Sequence, residues 1–67
     1  MKVLINGENH IFTEELSITA LLVHFKVRSE KGVAVALNFK VVPKTRFDDT
    51  IVVEGDQVDI IHATAGG

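Results

Sequence analysis

An α+β fold, with one helix packed across one face of a mixed sheet, is predicted by three observations. Segments rich in β-branched residues stand near both ends of the chain, at residues 1–6 and 58–63. Turn dipeptides punctuate them, with Asn6-Gly7 after the first and Glu54-Gly55-Asp56 before the last. Between them only Ile18, Leu21, Leu22 and Phe25 carry the i, i+3, i+4, i+7 spacing that buries one face of a helix.

Each element follows in order. Residues 1–6 alternate weakly, and Asn6-Gly7 is a favoured hairpin turn leading to a second apolar stretch at Ile11 and Phe12, so the chain opens with a β-hairpin. Ser17 can accept from the first free amides of a helix, which is expected to run from about Ile18 to Lys26. Residues 28–32 are polar and end in glycine, which reads as a loop. Val33-Ala34-Val35-Ala36-Leu37 is short and wholly apolar, the pattern of a strand buried on both faces. Val42-Pro43 interrupts regular structure because proline donates no ladder hydrogen bond and restricts the residue before it. A short edge strand and an irregular segment, polar over 44–50 apart from Phe47, fit there. The last strand carries Val58, Ile60 and His62 on one face and Asp59, Ile61 and Ala63 on the other. Hairpin, helix and further strands in this order are the β-grasp, or ubiquitin-like, arrangement, with a mixed sheet of four to five strands. The expected domain is residues 1–63, followed by a flexible tail, 64–67.

Composition narrows the function. Sixty-seven residues make one small domain, and such a chain buries only about 60% of its unfolded surface. Hydrophobic residues at 46% suffice for a core and are too many for a disordered segment. The formal net charge of -2, without blocks of like charge, gives no electrostatic footprint for DNA or RNA. The chain has no cysteine, which excludes disulfides, thiolate metal sites and thiol nucleophiles. Its first apolar run ends at Asn6, too short for a signal peptide or membrane span, so a cytoplasmic location without membrane contact is expected.

The chain stops at Gly66-Gly67. At an average glycine usage of about 7%, a terminal pair arises by chance in roughly 0.5% of chains. Without side chains such a tail can thread a narrow channel and present its carboxylate in a partner's active site. That carboxylate, with a reference pKa of about 3.3–3.7, is ionised at neutral pH and is a poor acyl donor until activated.

Leu37-Asn38, Val42-Pro43, Gly55-Asp56-Gln57-Val58 and Ala65-Gly66-Gly67, in that order and spacing, resemble the ThiS family over essentially the whole chain. The resemblance implies a sulfur carrier of thiamine biosynthesis, a protein co-substrate and not an enzyme. Gly67 would be adenylated by a ThiF-type enzyme that uses ATP and Mg²⁺, and sulfur from a donor such as a cysteine desulfurase would then replace a carboxylate oxygen. The resulting thiocarboxylate would serve thiazole synthase, the ThiG type, with Ala65 and Gly66 lying in the partner's channel. This chain would bind no cofactor itself. Alternatives within reach of the same pattern are a MoaD-like carrier for molybdopterin synthesis, a carrier for tRNA thiolation or cysteine synthesis, and a ubiquitin-like modifier. An interaction module with an inert tail is a further one. MoaD proteins are usually longer and often have prolines before the final glycines, where this chain has His62-Ala63-Thr64.

The remaining candidates are weaker. His10, His24 and His62 lie far apart without metal-ligand spacing, and the adjacent pairs Glu14-Glu15 and Asp48-Asp49 point apart in extended chain, so neither metal nor paired-carboxylate chemistry is expected. If Val3, Ile5, Val58 and Ile60 face the helix, Leu4 and Ile61 fall on the open face of the sheet and are candidates for docking the activating enzyme. Lys44 and Arg46 read as surface charge.

Overall fold

The computed structural model describes residues 1–27 and 32–62. A tight hairpin opens it, joining β1 (Lys2–Ile5) to β2 (Glu8–Ile11). Both central residues of the turn have positive φ, Asn6 at 48° and Gly7 at 86°, the mirror-image turn whose twist matches that of the flanking strands. The chain then runs through β3 (Leu16–Ser17) into the helix α1 (Ile18–His24). It returns as β4 (Val33–Leu37) and β5 (Lys40–Val42), passes a 3₁₀ turn (Lys44–Arg46) and β6 (Ile51–Val52), and ends in β7 (Gln57–His62).

The main sheet has five strands in the order β2-β1-β7-β4-β5, and β3 with β6 forms a separate two-stranded ladder. The expected mixed sheet is present, with a single α-helix among the described residues. The last strand in sequence is thus the central strand in space, parallel to β1 and antiparallel to β4.

The helix begins where its first amides find oxygen. Ser17 Oγ accepts from the Ala20 amide at 3.0 Å, the Ile18 amide donates to Thr50 O and the Thr19 amide to Phe47 O, and the Thr19 hydroxyl donates to Asp48. It ends two residues before the expected Lys26. Lys26 takes φ 58°, its amide donates to Val23 O and the Val27 amide to Leu22 O, the paired closure that satisfies the last free carbonyls. Helical spacing continues through Phe25, but a single left-handed residue stops the helix earlier.

Ile18, Leu21 and Leu22 are buried against Val3, Ile5, Val33, Val35, Val58 and Ile60 of the sheet, with Phe12, Phe47 and Val52 closing the sides. Phe47, the one apolar residue of an otherwise polar segment, is 5% exposed and belongs to this core. The expectation that β4 is buried on both faces is not met. Val33 and Val35 are buried while Ala34 is exposed and Ala36 and Leu37 are half-buried, because the helix covers one face only and none of the described residues forms a layer over the other.

Lys26 carries a side chain at a left-handed position where glycine is preferred. Lys26→Gly is therefore expected to stabilise the fold by about 1 kcal/mol, read as a raised urea midpoint with an unchanged m-value.

Candidate functional site

Two of the residues that suggested the family, Asn38 and Asp56, fasten the central strand. Asn38 follows β4, and its side-chain oxygen accepts from the Gln57 amide at 2.9 Å. Its side-chain nitrogen donates to Asp56 Oδ1 at 3.0 Å, and its own amide donates to Gln57 O at 2.7 Å. Asp56 uses its other oxygen to accept from the Val53 amide at 2.9 Å. Asn38 and Asp56 thus clasp the start of β7 to the end of β4.

A second asparagine holds the far half of the strand. β1 pairs with β7 only at Leu4 with Gln57 and Ile5 with Val58, after which β1 turns away. Asn6 then donates its amide to Val58 O and accepts the Ile60 amide on Oδ1 at 2.7 Å. Its side chain supplies the acceptor that a longer β1 would have provided. A buried amide without a partner costs about 1–3 kcal/mol, so this bond keeps β7 paired toward its end at His62.

The two faces of the sheet follow from the register, since residues opposite one another share a face. Val3, Ile5, Val58 and Ile60 are all buried on the helix side. On the open face lie Leu4, half-buried, and Ile61, 54% exposed. They do not form one cluster. Leu4 is level with Gln57, four positions before Ile61, which at about 3.3 Å per residue separates them by roughly 13 Å along the strands. Ile61 instead pairs with Ala34, Asp59 with Ala36, and Ala36 with the 75%-exposed Val41. The two alanines form a low floor between Ile61 on one side and Val41 on the other, next to the end of β7. Sequence reasoning missed this trough because it took β4 to be buried throughout. The alternation of Ala34 and Ala36 with bulkier valines was the available signal.

Gly67, Gly66 and Ala65 lie outside the described residues, as do the expected boundary of the body at Ala63 and the tail 64–67. The expected loop 28–32 is described only at Gly32. On the helix side, His10 and His62 line one cleft of about 170 Å³ with Glu8, Phe25, Val27 and Ile60. His10 Nε2 lies 3.8 Å from Glu8 Oε1, and His24 packs edge-on to Phe12 and Phe25. Among the described residues no group of three side chains could hold a metal ion, and no helix is long and apolar enough to cross a membrane. Arg46 is 3.8 Å from Asp49, an exposed pair within one turn.

The model of the ThiS family matches residues 3–67, a span that includes the clasp and the central strand. The chain belongs to the ThiS family. Its fold is similar to the crystal structure of the thiamine biosynthesis protein ThiS from Geobacter metallireducens, with TM-score 0.86 and 35% identity over the whole of both chains. The solution structure of a thiamine biosynthesis protein from the same organism gives TM-score 0.81 at 35% identity, covering all of this chain and 88% of the other. Among curated proteins, a thiazole synthase of Paramagnetospirillum magneticum is 39% identical over 67 residues, which is 100% of this ThiS chain but only 20% of the synthase. The uncharacterized protein ycf40 of Porphyra purpurea is 35% identical over 94% of this chain and 87% of its own length.

Asn6→Gly retains a turn sequence compatible with positive φ but removes the acceptor of the Ile60 amide. It is expected to destabilise the fold by about 1 kcal/mol or more and to accelerate hydrogen exchange at Ile60 beyond the change at Val3.

Proposed function

We propose that this chain is a sulfur carrier of thiamine biosynthesis that works as a protein co-substrate through the carboxylate of Gly67. The observation that carries the reading is the match of the ThiS family from residue 3 to the terminal Gly67, joined to a full-length likeness to a thiamine biosynthesis protein. The carboxylate attacks the α-phosphate of ATP in a ThiF-type activating enzyme, giving an acyl-adenylate and releasing pyrophosphate. That enzyme supplies Mg²⁺ and the basic groups that stabilise charge on the phosphates. The terminal sulfur of a persulfide on a donor such as a cysteine desulfurase then attacks the acyl carbon and displaces AMP, giving an acyl disulfide, and a thiol reductant cleaves its S–S bond to leave the thiocarboxylate. A thiazole synthase is the acceptor, in line with a relative of that name in which a segment similar to this chain makes up one fifth of the protein.

The reach of the terminus limits where a partner sits. Residues 63–67 follow the last described position of β7 and, fully extended, span at most about 18 Å. The body must therefore dock with the end of β7 toward the partner's catalytic centre. The trough of Ala34 and Ala36 beside Ile61 lies at that end, whereas Leu4 lies near the start of the strand. Ile61 is accordingly the stronger docking anchor, and Leu4 lies toward the margin.

ATP–pyrophosphate exchange catalysed by a ThiF-type enzyme tests both parts. Deletion of Gly67 is expected to abolish exchange, and retained exchange would overturn the role of the terminus. Ile61→Asp, at an exposed position on the open face, is expected to keep the thermal transition within a few degrees while raising the half-saturating carrier concentration about tenfold or more, with a smaller effect for Leu4→Asp.

A further inference from the structure

Alternation along β7 sets Asp59 on the open face, between Gln57 and Ile61. Asp59 pairs with Ala36, which in turn pairs with Val41, and Ile61 pairs with Ala34. A carboxylate is therefore built into the side of the apolar trough, and it is half-buried. Among the described residues no side chain pairs with it and no donor hydrogen-bonds to it. The neighbouring lysines are placed elsewhere. The two-residue turn Asn38-Phe39, with φ positive at both positions, 51° and 70°, joins Leu37 to Lys40, so that Lys40 falls with Leu37 on the helix side. Lys2 shares the open face but stands two positions before Leu4, whereas Asp59 stands two beyond Leu4's partner Gln57. Those four positions amount to roughly 13 Å along the strands. Aspartate is also among the residues that strands disfavour. Asp59 thus breaks a local rule without a polar bond in return, the pattern expected of a residue kept for function.

We propose that Asp59 receives an arginine of the activating enzyme, carried on the apolar surface that covers Ile61 and the two alanines. This rests on the carrier reading above. A partner seated on the trough takes water away from the carboxylate beside it, and a charge without water is tolerated only where an opposite charge meets it. The sign of the partner group is thereby fixed. An enzyme that stabilises the phosphates of ATP carries basic groups around the centre where the carboxylate reacts, which is the side of the partner that the end of β7 must face. A guanidinium fits better than an ammonium. It is planar and weakly hydrated, so it can lie on the low floor of Ala34 and Ala36 between Ile61 and Val41, and its fork of donors matches both oxygens of a carboxylate. The trough then recognises a charged group in an apolar setting, which discriminates between partners more sharply than apolar contact alone.

The test is ATP–pyrophosphate exchange by a ThiF-type enzyme from the same organism, measured against carrier concentration for the wild type, Asp59→Asn, Asp59→Leu and Asp59→Glu. If the trough docked by apolar contact alone, Asp59→Leu would enlarge the apolar surface and tighten binding. The inference predicts the reverse, because leucine leaves the enzyme's arginine covered and without a counter-charge. Asp59→Asn and Asp59→Leu are both expected to raise the half-saturating concentration about thirtyfold, while Asp59→Glu keeps most of the wild-type affinity. Neither neutral variant removes a bond of the fold, so both are expected to hold Tm at or above that of the wild type. An unchanged half-saturating concentration for folded Asp59→Asn, or a lowered one for Asp59→Leu, would overturn the inference and leave the carrier reading intact. A wild-type chain that supports no exchange with an enzyme that activates another ThiS protein would overturn the carrier reading and this inference together.

Discussion

Everything in this small fold depends on placing the last strand in the middle of the sheet. β7 must enter between β1 and β4 after all other elements have been laid down, pairing parallel to one and antiparallel to the other. It contributes Val58 and Ile60 to the core, and its loss would separate the first hairpin from the β4-β5 hairpin. The same placement fixes the position of His62, the last described residue. A strand held on both sides along its first half gives the residues after it a fixed point of departure, and a group meant to react in another protein's active site needs such a base.

Three polar side chains act on this strand, two of them from the family pattern. Asn38 and Asp56 fasten its start, and Asn6 replaces the missing pairing partner farther on. Among the described residues no buried side-chain polar atom lacks a hydrogen-bond partner. In a domain with a modest core, a single unpaired amide would remove a sizeable share of the net stability. In the proposed role the chemistry falls to the carboxylate of Gly67, and the side chains of Asn6, Asn38 and Asp56 serve to hold the strand that leads toward it.

Much of this was legible in the sequence. Asn6-Gly7 located the first hairpin, Ser17 the start of the helix, and the alternation at the end of the chain sorted Val58 and Ile60 from Ile61. What escaped was decided by tertiary structure. Periodicity through Phe25 cannot show that Lys26 turns left-handed, and an unbroken apolar run at Val33–Leu37 does not reveal that only one face is covered. The two-residue turn at Asn38-Phe39 was hidden because phenylalanine is a poor marker of positive φ. The two-residue strands β3 and β6 are too short to carry a period. For the candidate site, the place of Ile61 on the open face was legible, whereas the trough beside it required the register of three strands; the terminal glycines lie outside the described residues.

The central claim is that the carboxylate of Gly67 becomes a thiocarboxylate. The intact mass of the chain, after incubation with ATP, a ThiF-type enzyme and a sulfide source, tests this most directly. The account predicts a gain equal to the exchange of one oxygen for sulfur, confined on fragmentation to the C-terminal residue. An unchanged mass in the presence of an enzyme that loads another ThiS protein, or sulfur found anywhere other than Gly67, would contradict it.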